Sequence, residues 1–108
     1  MTRRKGNVYH LLTPSQLTQL PSLKDIETKN DEEMMVRYHF TSSRSSLQWF
    51  VIAYNKTRKE FFGLAESFEL QLRSFTLHDL QGVVKDEDWT KRSLSVVRRE
   101  LIAKRARR

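Results

Sequence analysis

Two glutamates, Glu66 and Glu69, stand in the stretch FFGLAESFELQLRSFTLHDL, which covers residues 61–80. Two carboxylates on one face of a strand could split their pKa values or hold a divalent ion. The residue two positions after Glu69 is Gln71, and the candidate across the neighbouring strand is Ala53. Glu66 falls in the predicted turn before the strand. Glu69 is therefore the one candidate site acid, and we expect it to be a solvated or hydrogen-bonded strand residue.

The histidines show no metal-ligating pattern. His10, His39 and His78 form neither an HxxxH nor an HExxH motif, and the chain has no cysteine. The serines lack a GxSxG elbow, and the glycines do not form a phosphate-binding loop. We therefore expect no catalytic residue, no metal site, no cofactor and no enzyme activity. The alternative is an enzyme in which Glu66, Glu69 and His39 converge on one pocket.

Two short helices carry clear start signals. The run LLTPSQLTQLP predicts a helix over residues 14–20, with Thr13 as the N-cap and Gln16 completing a capping box. A second helix is predicted to begin after Thr76, with Gly82 as its C-cap.

Alternating apolar residues between these helices predict four strands. They lie near residues 36–40, 47–54, 59–64 and 68–72, and the second is apolar on both faces. Short connections favour antiparallel neighbours. The predicted fold class is α+β: a single four-stranded, mostly antiparallel sheet with short helices packed on one face, plus a basic C-terminal helix or tail.

Five aromatic residues fall on the predicted strands. They are Trp49, Phe50, Phe61, Phe62 and Phe68. Beside basic residues on one sheet face, such rings could form a platform on which the bases of a single-stranded nucleic acid stack. Because helices must cover one face, we expect these rings to fill the core instead.

The positive charge is concentrated at the C-terminus. The formal net charge is +7, and residues 90–108 hold eight Lys or Arg against one acid, which accounts for all of it. Leu94, Val97 and Leu101 form a narrow apolar stripe on a predicted helix, whereas the last residues, KRARR, are expected to fray. The expected organisation is a basic polar arm over 1–9, an α+β domain over 10–89 and a basic segment over 90–108.

Membrane and secretion signals are not found in this sequence. The longest apolar run is Trp49 to Tyr54, far shorter than the ~20 residues that a membrane helix needs. The basic N-terminus has no apolar segment behind it, so it does not resemble a secretory signal. We expect a cytoplasmic protein that does not contact a membrane.

Three segments resemble a known family: HLLTPSQLTQLPSL, LQWFVIAYN and FFGLAESFELQLRSFTLHDL. Together with DWTKRSLSVV they are similar to the uncharacterised bacterial domain-of-unknown-function family 2958, over about residues 9–97. Matching positions include Trp49, Gly63 and Glu69, whereas Ala53 and Gln71 depart from the family's acids. The family has no assigned reaction, so the resemblance implies a lineage and a plasmid or mobile-element setting.

The basic segment is the strongest functional hint. Its cations are Lys91, Arg92, Arg98, Arg99, Lys104, Arg105, Arg107 and Arg108. Blocks of like charge often form interaction tails, and such a block could neutralise phosphates of DNA or RNA or of another polyanion. We expect a small non-enzymatic accessory protein of a mobile element that binds nucleic acid non-specifically. The alternative is a protein-interaction module, such as an inhibitor or adaptor, that acts on a host or phage defence protein.

Overall fold

Seven strands and three helices make up the part of the chain that the computed structural model describes, which is residues 11–76, 79–80 and 82–107. In chain order the elements are α1 (Pro14–Gln19), α2 (Leu23–Ile26), β1 (Met35–Val36), β2 (Tyr38–Ser42), β3 (Gln48–Asn55), β4 (Glu60–Glu66), β5 (Leu70–Thr76), β6 (Val83–Lys85), β7 (Arg92–Ser93) and α3 (Leu94–Ala106). Within those ranges no helix is long and apolar enough to cross a membrane.

The main sheet is antiparallel and has five strands in the order β5-β4-β3-β2-β6. The α+β class and the antiparallel sheet confirm the prediction, but the predicted count of four strands is wrong. The additional strand, β6, has only three residues, of which one is charged, so it carries no readable alternation. A separate two-stranded sheet joins β1 to β7.

Helix α1 forms as its start signals predict. Thr13 Oγ1 accepts the backbone N–H of Gln16 at 3.1 Å, and Gln16 Oε1 accepts the N–H of Thr13 at 2.9 Å. The same reciprocal pair between Ser22 and Asp25 starts α2. Residues 22–33 lack an apolar period, so this capping box is the sequence signal for the four-residue helix α2.

The second predicted helix is only partly within the described residues. Thr76 N donates to Asp79 Oδ2 at 2.9 Å, as a capping box requires. Residues 77, 78 and 81 lie outside the described ranges, and Asp79 and Leu80 form a turn.

Helices cover both faces of the main sheet. Successive residues of β3 point to opposite faces. Val51 packs in one apolar cluster with Leu17 of α1, whereas Phe50 packs in the other with Val97 of α3. The prediction that the short helices pack on one face is therefore wrong, because Ile26 of α2 packs in the cluster of Phe50, on the face opposite to α1.

Docking of α3 uses the predicted apolar stripe. Leu94, Val97 and Leu101 are buried at no more than 5% exposure. The N-terminus of α3 is fixed by Ser93 Oγ, which accepts the N–H of Val96 at 3.3 Å. The N–H of Leu94 also donates to the Met34 carbonyl at 2.8 Å, so the helix begins at a defined place on the sheet.

Gly63 of β4 lies opposite a bulge in β3. The register shifts between Val51 and Ala53, so Ile52 is the extra residue. A Cβ at Gly63 would lie 1.9 Å from the carbonyl oxygen of Phe50. Only glycine lets the two backbones approach this closely.

We expect Gly63→Ala to lower the free energy of unfolding by roughly 3 kcal/mol or more, because the added methyl group must push β3 and β4 apart. Urea unfolding followed by far-UV circular dichroism measures this loss. The matched control is Ala65→Gly, the reverse exchange two residues along the same strand, which should cost about 0.5–1 kcal/mol. Equal losses in the two variants would contradict the close approach at Gly63.

Candidate functional site

The basic C-terminal segment divides into cations that hold the fold together and cations that face outward. Seven of the eight predicted residues lie in the described part of the chain, and Arg108 lies outside it. Three of the seven make internal contacts. The other four are exposed.

Arg92 and Arg98 fasten the first half of α3. The Arg92 guanidinium lies 3.8 Å from the centre of the Trp89 ring, and its Nε is 3.1 Å from Glu100 Oε1. Arg98 Nε donates to Asp31 Oδ2 at 2.8 Å and so joins α3 to the loop before β1. Both guanidinium groups are therefore engaged inside the molecule.

Arg105 fastens the last turn of α3, which sequence reasoning expected to be frayed. Its Nη1 and Nη2 donate to the carbonyls of Phe68 and Ser67, at 2.8 and 2.9 Å. Its Nε lies 3.4 Å from Glu66 Oε2. Glu66 is only 4% exposed, so Arg105 supplies the cation that a buried carboxylate requires.

The exposed cations are Lys91, Arg99, Lys104 and Arg107. Within residues 11–76, 79–80 and 82–107, no carboxylate pairs with any of the four. Arg99, Ala103 and Arg107 are spaced four residues apart and so follow one row on the outward side of α3. We call the exposed cations Arg99, Lys104 and Arg107, together with Lys91 just before β7, the basic face.

A chain of hydrogen bonds runs beneath α3 across the sheet. Asp86 Oδ2 is 2.8 Å from His39 Nδ1, and Gln48 Oε1 is 2.6 Å from His39 Nε2. Gln48 Nε2 donates to Glu66 Oε1. Since Glu66 also pairs with Arg105, the chain links the residue after β6, through β2, β3 and β4, to the last turn of α3.

Both ring nitrogens of His39 take part in this chain. The Gln48 amide turns its N–H to the Glu66 carboxylate, so its oxygen faces His39 Nε2. Asp86 Oδ2 lies at the other ring nitrogen, Nδ1, so both nitrogens of His39 have hydrogen-bond partners within the fold.

A cavity of about 260 Å³ opens beside this chain, between α3 and the β2–β6 side of the sheet. His39 and Asp86 line it, with Trp89, Glu100 and Lys104. The hydrogen bond from His39 is the main cause that holds the pKa of Asp86 below its ordinary value. In the described residues no three His, Asp or Glu side chains are grouped so that they could hold a metal ion.

Of the three residues of the enzyme alternative, the structure joins two and places the third in an exposed turn. Glu66 and His39 belong to the buried chain and are joined through Gln48. Glu69 is exposed in the turn between β4 and β5, where its backbone carbonyl accepts the N–H of Ser67 at 3.0 Å. Glu69 does not line the cavity that His39 lines, and the buried acid is Glu66, which was expected in a turn.

Sequence reasoning missed three residues of the hydrogen-bond chain and its cavity: Gln48, Asp86 and Trp89. The alternation of β3 contains one signal, because Gln48 shares a face with Phe50, which is buried. A polar residue on a buried face needs a hydrogen-bond partner. Asp86 and Trp89 lie in a segment whose apolar residues show no regular spacing, so no sequence pattern indicated them.

The aromatic residues behave differently from one another. Trp49, Phe50 and Phe61 are buried and Phe62 is half-buried, which confirms the core prediction for these rings. Phe68 is 97% exposed. It lies in the turn before β5 rather than in the strand that the alternation predicted.

Comparisons with family models, curated proteins and solved structures find no match to this chain. The resemblance to family 2958 therefore stays a prediction, and the function has to be inferred from the residues and their geometry.

We expect Arg105→Met to lower the free energy of unfolding by about 3–5 kcal/mol, because it leaves the Glu66 carboxylate buried without a cation. Glu66→Gln keeps an acceptor for Gln48 and removes the charge, so it should cost only about 1–2 kcal/mol. Urea unfolding measures both losses.

Two further variants complete this test. Lys104→Met, which removes an exposed neighbouring cation, should change stability by less than about 0.5 kcal/mol. The double variant Arg105→Met with Glu66→Gln should recover part of the loss. If Arg105→Met costs no more than Lys104→Met, the buried ion pair does not hold the end of α3.

Proposed function

We propose that this protein is a non-enzymatic nucleic-acid-binding protein, and that the basic face of α3 contacts the phosphates. The single observation that carries the proposal is the row Arg99–Ala103–Arg107 on the outward side of a docked helix and its C-cap, with the exposed Lys104 at the rim of the cavity beside it. Its cations are exposed, and no carboxylate in the described ranges neutralises them. The helix is held from behind by its apolar stripe and by Arg105.

A docked helix presents its cations at a lower entropic cost of binding than a disordered tail does. A disordered tail loses backbone entropy when it binds, whereas the cations of α3 are already spaced along a fixed helix. Ala103 in the middle of the row has a small side chain, so a phosphate chain can lie close to the helix between the two arginines. The contacts are to phosphates alone, so they position a nucleic acid without reading its sequence.

The number of exposed cations sets how steeply the affinity for nucleic acid should fall with salt concentration. Eight phosphate contacts would give a log–log salt slope of about −7, whereas the four residues of the basic face give about −3.6 on duplex DNA. Arg92, Arg98 and Arg105 are engaged with Glu100, Asp31 and Glu66 and add little. The affinity should therefore fall roughly 150-fold between about 50 and 200 mM salt.

Fluorescence anisotropy with a labelled duplex at several salt concentrations measures this slope. We expect a fourfold variant, with Lys91, Arg99, Lys104 and Arg107 all changed to Gln, to lose binding and salt dependence together. The control variant changes Lys24, Lys29, Lys56 and Arg58 to Gln. These are also exposed and lie outside α3, so the net charge falls by the same four.

The control variant should keep the slope and most of the affinity. If both variants lose affinity equally, net charge alone causes binding and the basic face is not the site. If the unaltered protein binds neither a duplex nor a single strand even at low salt, the proposed function is wrong.

A further inference from the structure

Phe68 is the exception among the aromatic residues of the described chain. Its ring is 97% exposed, although burying a phenylalanine side chain contributes roughly 1.5–3 kcal/mol. Its neighbours in the turn, Ser67 and Glu69, are polar and exposed as well. The ring is thus an exposed flat apolar surface between two polar residues.

The backbone that carries this ring is fixed. Arg105 donates to the carbonyls of both Ser67 and Phe68, and the N–H of Ser67 closes the turn on the Glu69 carbonyl. The guanidinium is in turn held by the buried Glu66. A ligand that meets Phe68 therefore does not have to order the turn.

Cations lie at the same end of the molecule as this turn. Arg105 ties the turn to the last turn of α3, which carries Lys104 and leads to Arg107. Gln48, the first residue of β3, pairs with Glu66, the last residue of β4, so the β2–β3 turn with its exposed Arg44 is at this end too. An exposed ring among cations is the arrangement by which proteins hold single-stranded nucleic acid.

We propose that Phe68 stacks against an unpaired base, so that the nucleic acid bound by the basic face is single-stranded at the end of α3. This inference rests on the proposed function and names its substrate class. The phosphates beside the stacked base are met by Lys104 and Arg107, whereas the Glu69 carboxylate repels them. A paired base cannot reach the ring, because its faces are covered by its neighbours in the duplex.

Binding of a labelled oligothymidylate of about 12 nucleotides, compared with a duplex of equal length at one low salt concentration, tests this inference. Phe68→Ala should weaken single-strand binding roughly 5- to 150-fold, the range that loss of one base–aromatic stack gives. Duplex binding should change less than about twofold. Phe68→Tyr should restore single-strand affinity because it keeps the ring.

Two matched controls isolate the ring. Val84→Ala removes apolar surface from another exposed side chain, 52% exposed on β6, and should leave both affinities unchanged. Glu69→Gln should tighten single-strand binding two- to fivefold or so, because it removes a nearby anion. Thermal unfolding of each variant verifies that the exposed substitution leaves the fold intact.

The outcomes separate the two proposals. If Phe68→Ala binds the single strand as tightly as the unaltered protein while duplex binding keeps its salt slope, stacking is wrong and the basic face stands. If neither nucleic acid binds, both proposals fail. A stoichiometric protein partner that survives nuclease treatment and is lost in Phe68→Ala, with single-strand affinity unchanged, would assign the ring to a protein interface and overturn the inference.

Discussion

The Glu66 carboxylate is buried at the end of β4, and an unpaired charge there would cost several kcal/mol. Arg105 removes that cost by lying 3.4 Å away, and the requirement fixes the last turn of α3 against the sheet. The same guanidinium holds the carbonyls of the turn that carries Phe68. One arginine thus joins a buried carboxylate, the last turn of α3 and the turn that carries Phe68.

The cations of the C-terminal segment form two sets, one with acidic partners inside the fold and one exposed. Arg92, Arg98 and Arg105 each have an acidic partner and stabilise the packing of α3. The cations of the basic face have none within the described ranges, so their charge is directed to solvent. The basic block of the sequence therefore divides into cations engaged inside the fold and cations that face solvent. Only the second set is suited to bind a polyanion.

Local signals predicted the local structure well. The capping box at Thr13, the doubly buried β3 and the apolar stripe of α3 all form, because each depends on residues close together in sequence. The position of the last turn of α3 depends on Arg105 meeting Glu66, which lies 39 residues earlier in the chain, and no periodicity reports such a contact. The position of Phe68 was predicted wrongly for a related reason. Its alternation with Leu70 fits a strand, but the Ser67–Glu69 hydrogen bond places it in a turn.

Amide chemical-shift mapping, with the oligothymidylate titrated into the protein at low salt, tests most directly whether the basic face and the Phe68 turn act as one surface. We expect the largest shifts in two groups that change together along the titration, at residues 67–69 and at residues 99–107. Shifts concentrated around the His39 cavity, or at the opposite end of the sheet near Lys56, would contradict a shared single-strand surface.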